Sequence, residues 1–156
     1  MDTICEHLAR DHAHCDQLFG QACADVRAGR WSEAGVSAAA LAHALRFHLD
    51  VEEQLVFGAF DEAFCDAASP TRWLRIEHQR LLGVLVRVEH SVAARDGAAF
   101  FKHAATLRAM LQYHHEKEEA AFYPMAERVL AGRKGELIDA LGRMQQLGPH
   151  RALLPA

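Results

Sequence analysis

Two stretches of the chain, 66 residues apart, carry one pattern of imidazoles, carboxylates and aromatics. His48, Glu52, Glu53 and Phe57 stand opposite His114, Glu118, Glu119 and Tyr123, and the same offset pairs Asp11-His12 with Glu77-His78. Three separate features on a single internal period mark a duplicated unit, so each half must supply the same elements in the same order. On a helix, residues four apart lie on one face, one turn above the other. His48 with Glu52, and His114 with Glu118, therefore each aim an imidazole and a carboxylate in one direction. With His12 and His78 the set becomes four His and two Glu. Such nitrogen and oxygen donors suit first-row transition metals, and two carboxylates can bridge two ions. A single His or Glu on a helix is ordinarily a surface residue, but six on one offset are not explained that way.

Composition fixes the fold class. Hydrophobic residues make up 51% of the 156, Ala and Leu are abundant, strand-like alternation is absent and only 4 Pro interrupt the chain. This pattern predicts an all-α protein, and the length is that of one domain. A single domain over 1–156 is expected, with the ligand-bearing bundle over about 3–131 and a C-terminal helix and tail over 132–156. A formal net charge of −4 argues against a nucleic-acid partner, because phosphate binding needs clustered Lys and Arg. No apolar run approaches the roughly 20 residues of a membrane span, and the start lacks the basic-then-apolar pattern of a signal peptide. A cytoplasmic protein away from the membrane is expected. The 4 Cys form no CxxC pair, so neither a zinc knuckle nor a redox dithiol is indicated. Histidine, at 11 residues, is the outlier.

The apolar residues Ile4, Leu8, Cys15, Leu18, Phe19 and Val26 recur at three and four and predict a first helix over about 2–28. Gly29 suits a left-handed cap and Ser32 an N-cap for a second helix over about 33–65. Ser69-Pro70 opens a third over about 70–95, and Asp96-Gly97 turns the chain into a fourth over about 98–131. A short fifth follows over about 135–147, ahead of a loose tail. Short turns imply an up-down-up-down antiparallel four-helix bundle. At about 1.5 Å per residue, His12, His48, His78 and His114 all come to one height within it. Pro124, and Gly58 at the equivalent place, predict bends just past the two His-Glu pairs.

Asp11-His12, His48 through Glu53 with Phe57, Glu77-His78, and His114 through Glu119 with Tyr123-Pro124 resemble the hemerythrin-like, or HHE cation-binding, family over roughly residues 4–130. The resemblance implies a bundle around a non-haem di-iron centre, with His on every helix and two bridging carboxylates. By position, His12, His48, Glu52, His78, His114 and Glu118 would hold two iron ions, with zinc a substitute. The chain differs from the oxygen carriers of that family, which have HxxxH on the third helix, where this chain has Leu74 and Leu82 around His78. Its last carboxylate also follows its His by four rather than five. The set is closer to the symmetric four-His, two-Glu arrangement of di-iron proteins that repair iron centres after nitrosative stress. The expected partner is a small diatomic ligand (dioxygen or nitric oxide) or peroxide, bound at the metal pair. The other readings are a di-iron oxidoreductase using the same six residues, and a zinc-loaded or metal-free structural bundle. The sequence does not set the oligomeric state.

Several neighbours have their own readings. Asp16, four after His12, is a candidate seventh ligand, and Cys15 a candidate redox thiol. Asp11 and Glu77 are placed to orient imidazoles as hydrogen-bond acceptors. His115 and Glu119 compete with His114 and Glu118, but Leu49 stands opposite His115 and cannot bind metal, so the repeat decides against them. Glu53 and Glu119, about 100° round from the site face, are expected to be dispensable for the metal. With Leu74 in place of a further ligand, both ions are expected to be open, which favours bridging chemistry over oxygen carriage. His7, His14, His43, His90, His103 and His150 fit no repeat and read as surface or ordinary core.

Overall fold

A computed structural model describes residues 2–151, and among these every regular element is helical. Helix α1 spans Ile4–Arg27, opened by a capping box in which Thr3 accepts from the Glu6 N–H while the Glu6 carboxylate accepts from the Thr3 N–H. It closes at Ala28, and Gly29 takes the left-handed conformation at φ 70°. Helix α2 spans Trp31–Val51 and starts earlier than expected, with no side-chain cap from Ser32. Asp25 holds the α1–α2 turn instead, accepting from the Arg30 guanidinium and from Ser37 Oγ. The chain continues through a π-helical turn, Glu52–Phe57, into α3 (Gly58–Phe64). After a link braced by Asp61, which accepts from Ser69, Thr71 and Arg75, α4 runs Thr71–Ala93. In the next turn the left-handed residue is Arg95, at φ 51°, and Asp96 caps α5 (Gly97–Lys117), whose first residue is Gly97. A second π-helical turn, Glu118–Phe122, leads into α6 (Tyr123–Val129), a short 3₁₀ turn and α7 (Lys134–Arg151). The side chain of His150 and the tail from 152 onward lie outside the described residues.

α1 packs on α2 and α4 on α5, so each half of the repeat is a helical hairpin, and the two hairpins meet through α2 with α4 and α1 with α5. This is the expected bundle, with α2 and α5 extended by their π turns and by α3 and α6. The extensions overshoot α1 and α4, and α7 covers that end: Leu137 and Leu141 join Ile4, Leu8, Val51, Phe57, Phe60 and Tyr123 in one apolar cluster. A second cluster, including Leu41, Leu45, Leu81, Leu85, Phe100 and Leu107, fills the opposite half. Between the two lies a polar layer. No described helix is long and apolar enough to cross a membrane.

Because the apolar halves flank this layer rather than form it, stability and site should separate by mutation. Leu85→Ala, at a fully buried position, should cost about 2–5 kcal/mol in denaturant unfolding and leave the metal content of the folded protein unchanged.

Candidate metal centre

Each of the expected residues is in the polar layer. His12 comes from α1, His48 from the last turn of α2, Glu52 from the first π turn, His78 from α4, His114 from α5 and Glu118 from the second π turn. None of the six is more than 3% exposed. Their donor atoms form two groupings, each within 4.8 Å: His12, His48, Glu52 and Glu118, and then Glu52, His78, His114 and Glu118. The two carboxylates belong to both.

A ring of outer carboxylates aims the imidazoles. Asp11 on α1 lies 3.5 Å from Nδ1 of His48, Glu53 lies 2.8 Å from Nδ1 of His78, Glu77 lies 2.7 Å from Nδ1 of His114, and Glu119 lies 2.6 Å from Nδ1 of His12. Each acid serves a histidine on another helix, in the order α1 to α2 to α4 to α5 and back to α1. With Nδ1 engaged on the outside, Nε2 faces inward with its lone pair available to a cation. The expected roles of Asp11 and Glu77 are found. Glu53 and Glu119, expected to be dispensable for the metal, reach His78 and His12 and orient their rings. Two of the ring acids are themselves tied down, Glu77 by Lys117 and Asp11 by Gln145 of α7.

Inside the ring, hydrogen bonding fails. Glu52 Oε2, His78 Nε2, His114 Nε2, His115 Nε2 and Glu118 Oε1 are buried with no hydrogen-bond partner. Some are nevertheless close together: His114 Nε2 is 3.0 Å from Glu118 Oε1, and His78 Nε2 is 3.3 Å from Glu52 Oε2. Groups this near that do not bond one another converge on shared points between them, as ligands do. Native proteins rarely leave such atoms unpaired without an ion or water, so this donor set fits a cation at each grouping.

The charges agree. Burial alone would favour neutral imidazoles. Although burial pulls His78 down, Glu118 and Glu52 more than offset it and raise it to about 10. His48 and His114 are raised in the same way against their burial. Glu118, which burial pushes up, is held well below the ordinary carboxylate range by His114, His12 and His78. Without metal, then, His48, His78 and His114 keep protons that a cation must displace.

π turns stand where bends are expected, at Glu52–Phe57 and Glu118–Phe122. In an α-helix, residues five apart differ by about 140°, whereas an i→i+5 turn returns them to nearly one face. Tyr123 N–H donates to the Glu118 carbonyl across this turn, and Pro124, with no N–H of its own, follows at the start of α6. The turn thus swings Tyr123 inward beside Glu118. Its ring is fully buried. Oη donates to Glu52 Oε1 at 2.5 Å and also lies 3.1 Å from Glu118 Oε2 and 3.0 Å from His12 Nε2. Burial and the two carboxylates raise this phenol well above its ordinary value. Phe57, at the equivalent place in the first half, stacks near His78 with ring centroids 5.3 Å apart.

His115, which has no ligand counterpart in the first half, lies against the site. Its ring is 7% exposed and stacks on His12 at 3.6 Å, with donor atoms of His12, His48 and His115 within 4.8 Å of one another. Burial and the neighbouring His12 and His48 push it down to about 2, so it is neutral and able to donate a lone pair. The sequence carried one signal for His115 and Tyr123: they are the places where the second half has a polar group and the first has Leu49 and Phe57. Asp16 is exposed and outside the groupings, on the wall of a cavity of about 570 Å³ between α1 and α5 that His12, Arg108, Gln112, His115 and Glu119 also line. Cys15 packs in the apolar cluster, its thiol pushed up to about 12 mainly by burial, which makes it a poor nucleophile. Of the histidines outside the repeat, His7 is buried and bonds Gln145 of α7.

Comparison with known families agrees with this geometry. The profile of the hemerythrin HHE cation binding domain matches residues 3–126 and again 69–149. The chain belongs to the hemerythrin HHE cation-binding family. No curated protein and no solved structure matches it. Membership accounts for the metal-binding His and Glu cluster, while the π-turn tyrosine and the paired His114-His115 are features of this hemerythrin-family chain read from its own structure.

Two outcomes follow. Glu119→Ala and Glu53→Ala should each weaken metal binding by about 10–100-fold while Glu118→Ala abolishes it, as measured by competition with a chelator. In the metal-free protein, the raised His78 stabilises fully below its ordinary 6.5 and loses this contribution as pH rises through about 10. The lowered Glu118 stabilises above its ordinary 4.5 and loses this as pH falls. The melting temperature of the metal-free form should therefore be highest between about pH 4.5 and 6.5 and drop toward both ends.

Proposed function

We propose that the protein is a non-haem di-iron protein that binds a small diatomic ligand, dioxygen or nitric oxide, or peroxide, on one side of the metal pair. His12, His48, Glu52 and Glu118 would hold one iron, joined by His115, and Glu52, His78, His114 and Glu118 the other. The iron supplies a redox-active centre with positions for an outside ligand. This chain's residues hold it, exclude water and fix the lone pairs.

The observation that carries the reading is the unequal surroundings of the two groupings. His115 adds a neutral donor beside His12 and His48, whereas His78 stacks near Phe57. In place of the symmetric pair with both ions open, expected from Leu74, we read one crowded and one open side. An apolar wall at the open side suits a small, weakly polar guest better than a charged one. The four cysteines are free, which suits a reducing compartment, and we place the protein in the cytoplasm.

Protein made in iron-replete cells should contain about two irons per chain, and its reduced form should saturate with about one equivalent of nitric oxide. Zinc in place of iron after such expression would defeat the reading. Saturation at two equivalents would restore the symmetric pair, and His115→Leu should move the wild-type protein toward that stoichiometry.

A further inference from the structure

Adjacent ligands on an octahedral ion with bonds of about 2.1 Å stand about 3 Å apart. In the first grouping, His12 Nε2 is 3.0 Å from His48 Nε2 and 3.3 Å from Glu118 Oε2. Tyr123 Oη keeps this spacing to two of these donors, 3.0 Å to His12 Nε2 and 3.1 Å to Glu118 Oε2, and lies closer, at 2.5 Å, to Glu52 Oε1. A phenol has one proton and can satisfy one acceptor with it. Here its oxygen touches two carboxylates and an imidazole, all fully or almost fully buried. Even with the oxygen accepting from His12 Nε2, a proton given to Glu52 leaves the approach to Glu118 Oε2 without one. A cation shared by these groups accounts for all three approaches.

We infer that Tyr123 is itself a metal ligand, its phenolate oxygen completing the coordination of the ion held by His12, His48, Glu52 and Glu118. The phenolic proton leaves to solvent on coordination, and the cation takes over the role that this proton plays between Oη and Glu52. The π turn is what makes it possible, because only an i→i+5 turn returns Tyr123 to the face of Glu118. The repeat isolates the residue further: Phe57, its counterpart, offers no donor, so the phenolate ligates one ion of the pair only. This inference rests on the metal-pair reading above.

The test is spectroscopic. A phenolate bound to ferric iron produces an intense visible charge-transfer band and characteristic phenolate modes in the resonance Raman spectrum. The chain has 2 Tyr, and Tyr113 is 66% exposed on α5, which makes it an internal control. Iron(III)-loaded wild-type protein should show the band. Tyr113→Phe should keep it, and Tyr123→Phe should lose it while retaining iron by metal analysis and helicity by circular dichroism. Should Tyr123→Phe fail to fold, the wild-type Raman spectrum decides alone. Bound iron with no phenolate band, or a band that survives Tyr123→Phe, would overturn the inference and leave the metal-pair reading standing. A protein that takes up no iron at all would bring down both.

Discussion

Two carboxylates, Glu52 and Glu118, sit side by side with essentially no solvent exposure in the middle of the bundle. Each ionised group removed from water costs on the order of several kcal/mol unless it is matched. The surrounding layer is organised to match them: four imidazoles lean inward on the pair, and four outer carboxylates hold those imidazoles. The apolar halves on either side keep water out, which raises the strength of every charge interaction inside. Without a cation, the protons on His48, His78 and His114 perform the neutralising role. Metal binding and proton release are therefore two sides of one exchange.

Most of this was legible from one offset of 66 residues. The period located six of the inward donors, His12, His48, Glu52, His78, His114 and Glu118, because a ligand on a repeated helix repeats with it. It also located the bundle, since helices must bring those donors to one level. Residues that break the period were hidden by the same argument. His115 was set aside because Leu49 cannot bind metal, yet nothing requires two halves of a duplicated domain to keep equal ligands. Glu53 and Glu119 point away from their own helix's site face yet reach the histidine of a neighbouring helix, a contact that ideal helical geometry within one helix does not reveal. The π turns were beyond reach, since Pro124 and Gly58 give notice of an irregularity without saying which kind.

The departures all fall in the second half. His115 and Tyr123 place polar groups around the His12 side, while Phe57 puts an apolar ring beside His78. A duplicated scaffold thus supports two chemically different environments with hardly any change to its backbone. Differentiation has come from side chains at two matched positions.

The ring of outer carboxylates has a further meaning for how such a domain can arise. Asp11 serves His48 and Glu77 serves His114, each within its own hairpin, but Glu53 reaches across to His78 and Glu119 across to His12. Half the ring is closed inside each repeat and half only where the repeats meet. A single repeat therefore carries both the group to be held and the group that holds it, on one face. Such a surface is its own complement, the property that defines a two-fold interface between identical subunits. The fused chain preserves within one molecule the contact pattern of a symmetric dimer of hairpins.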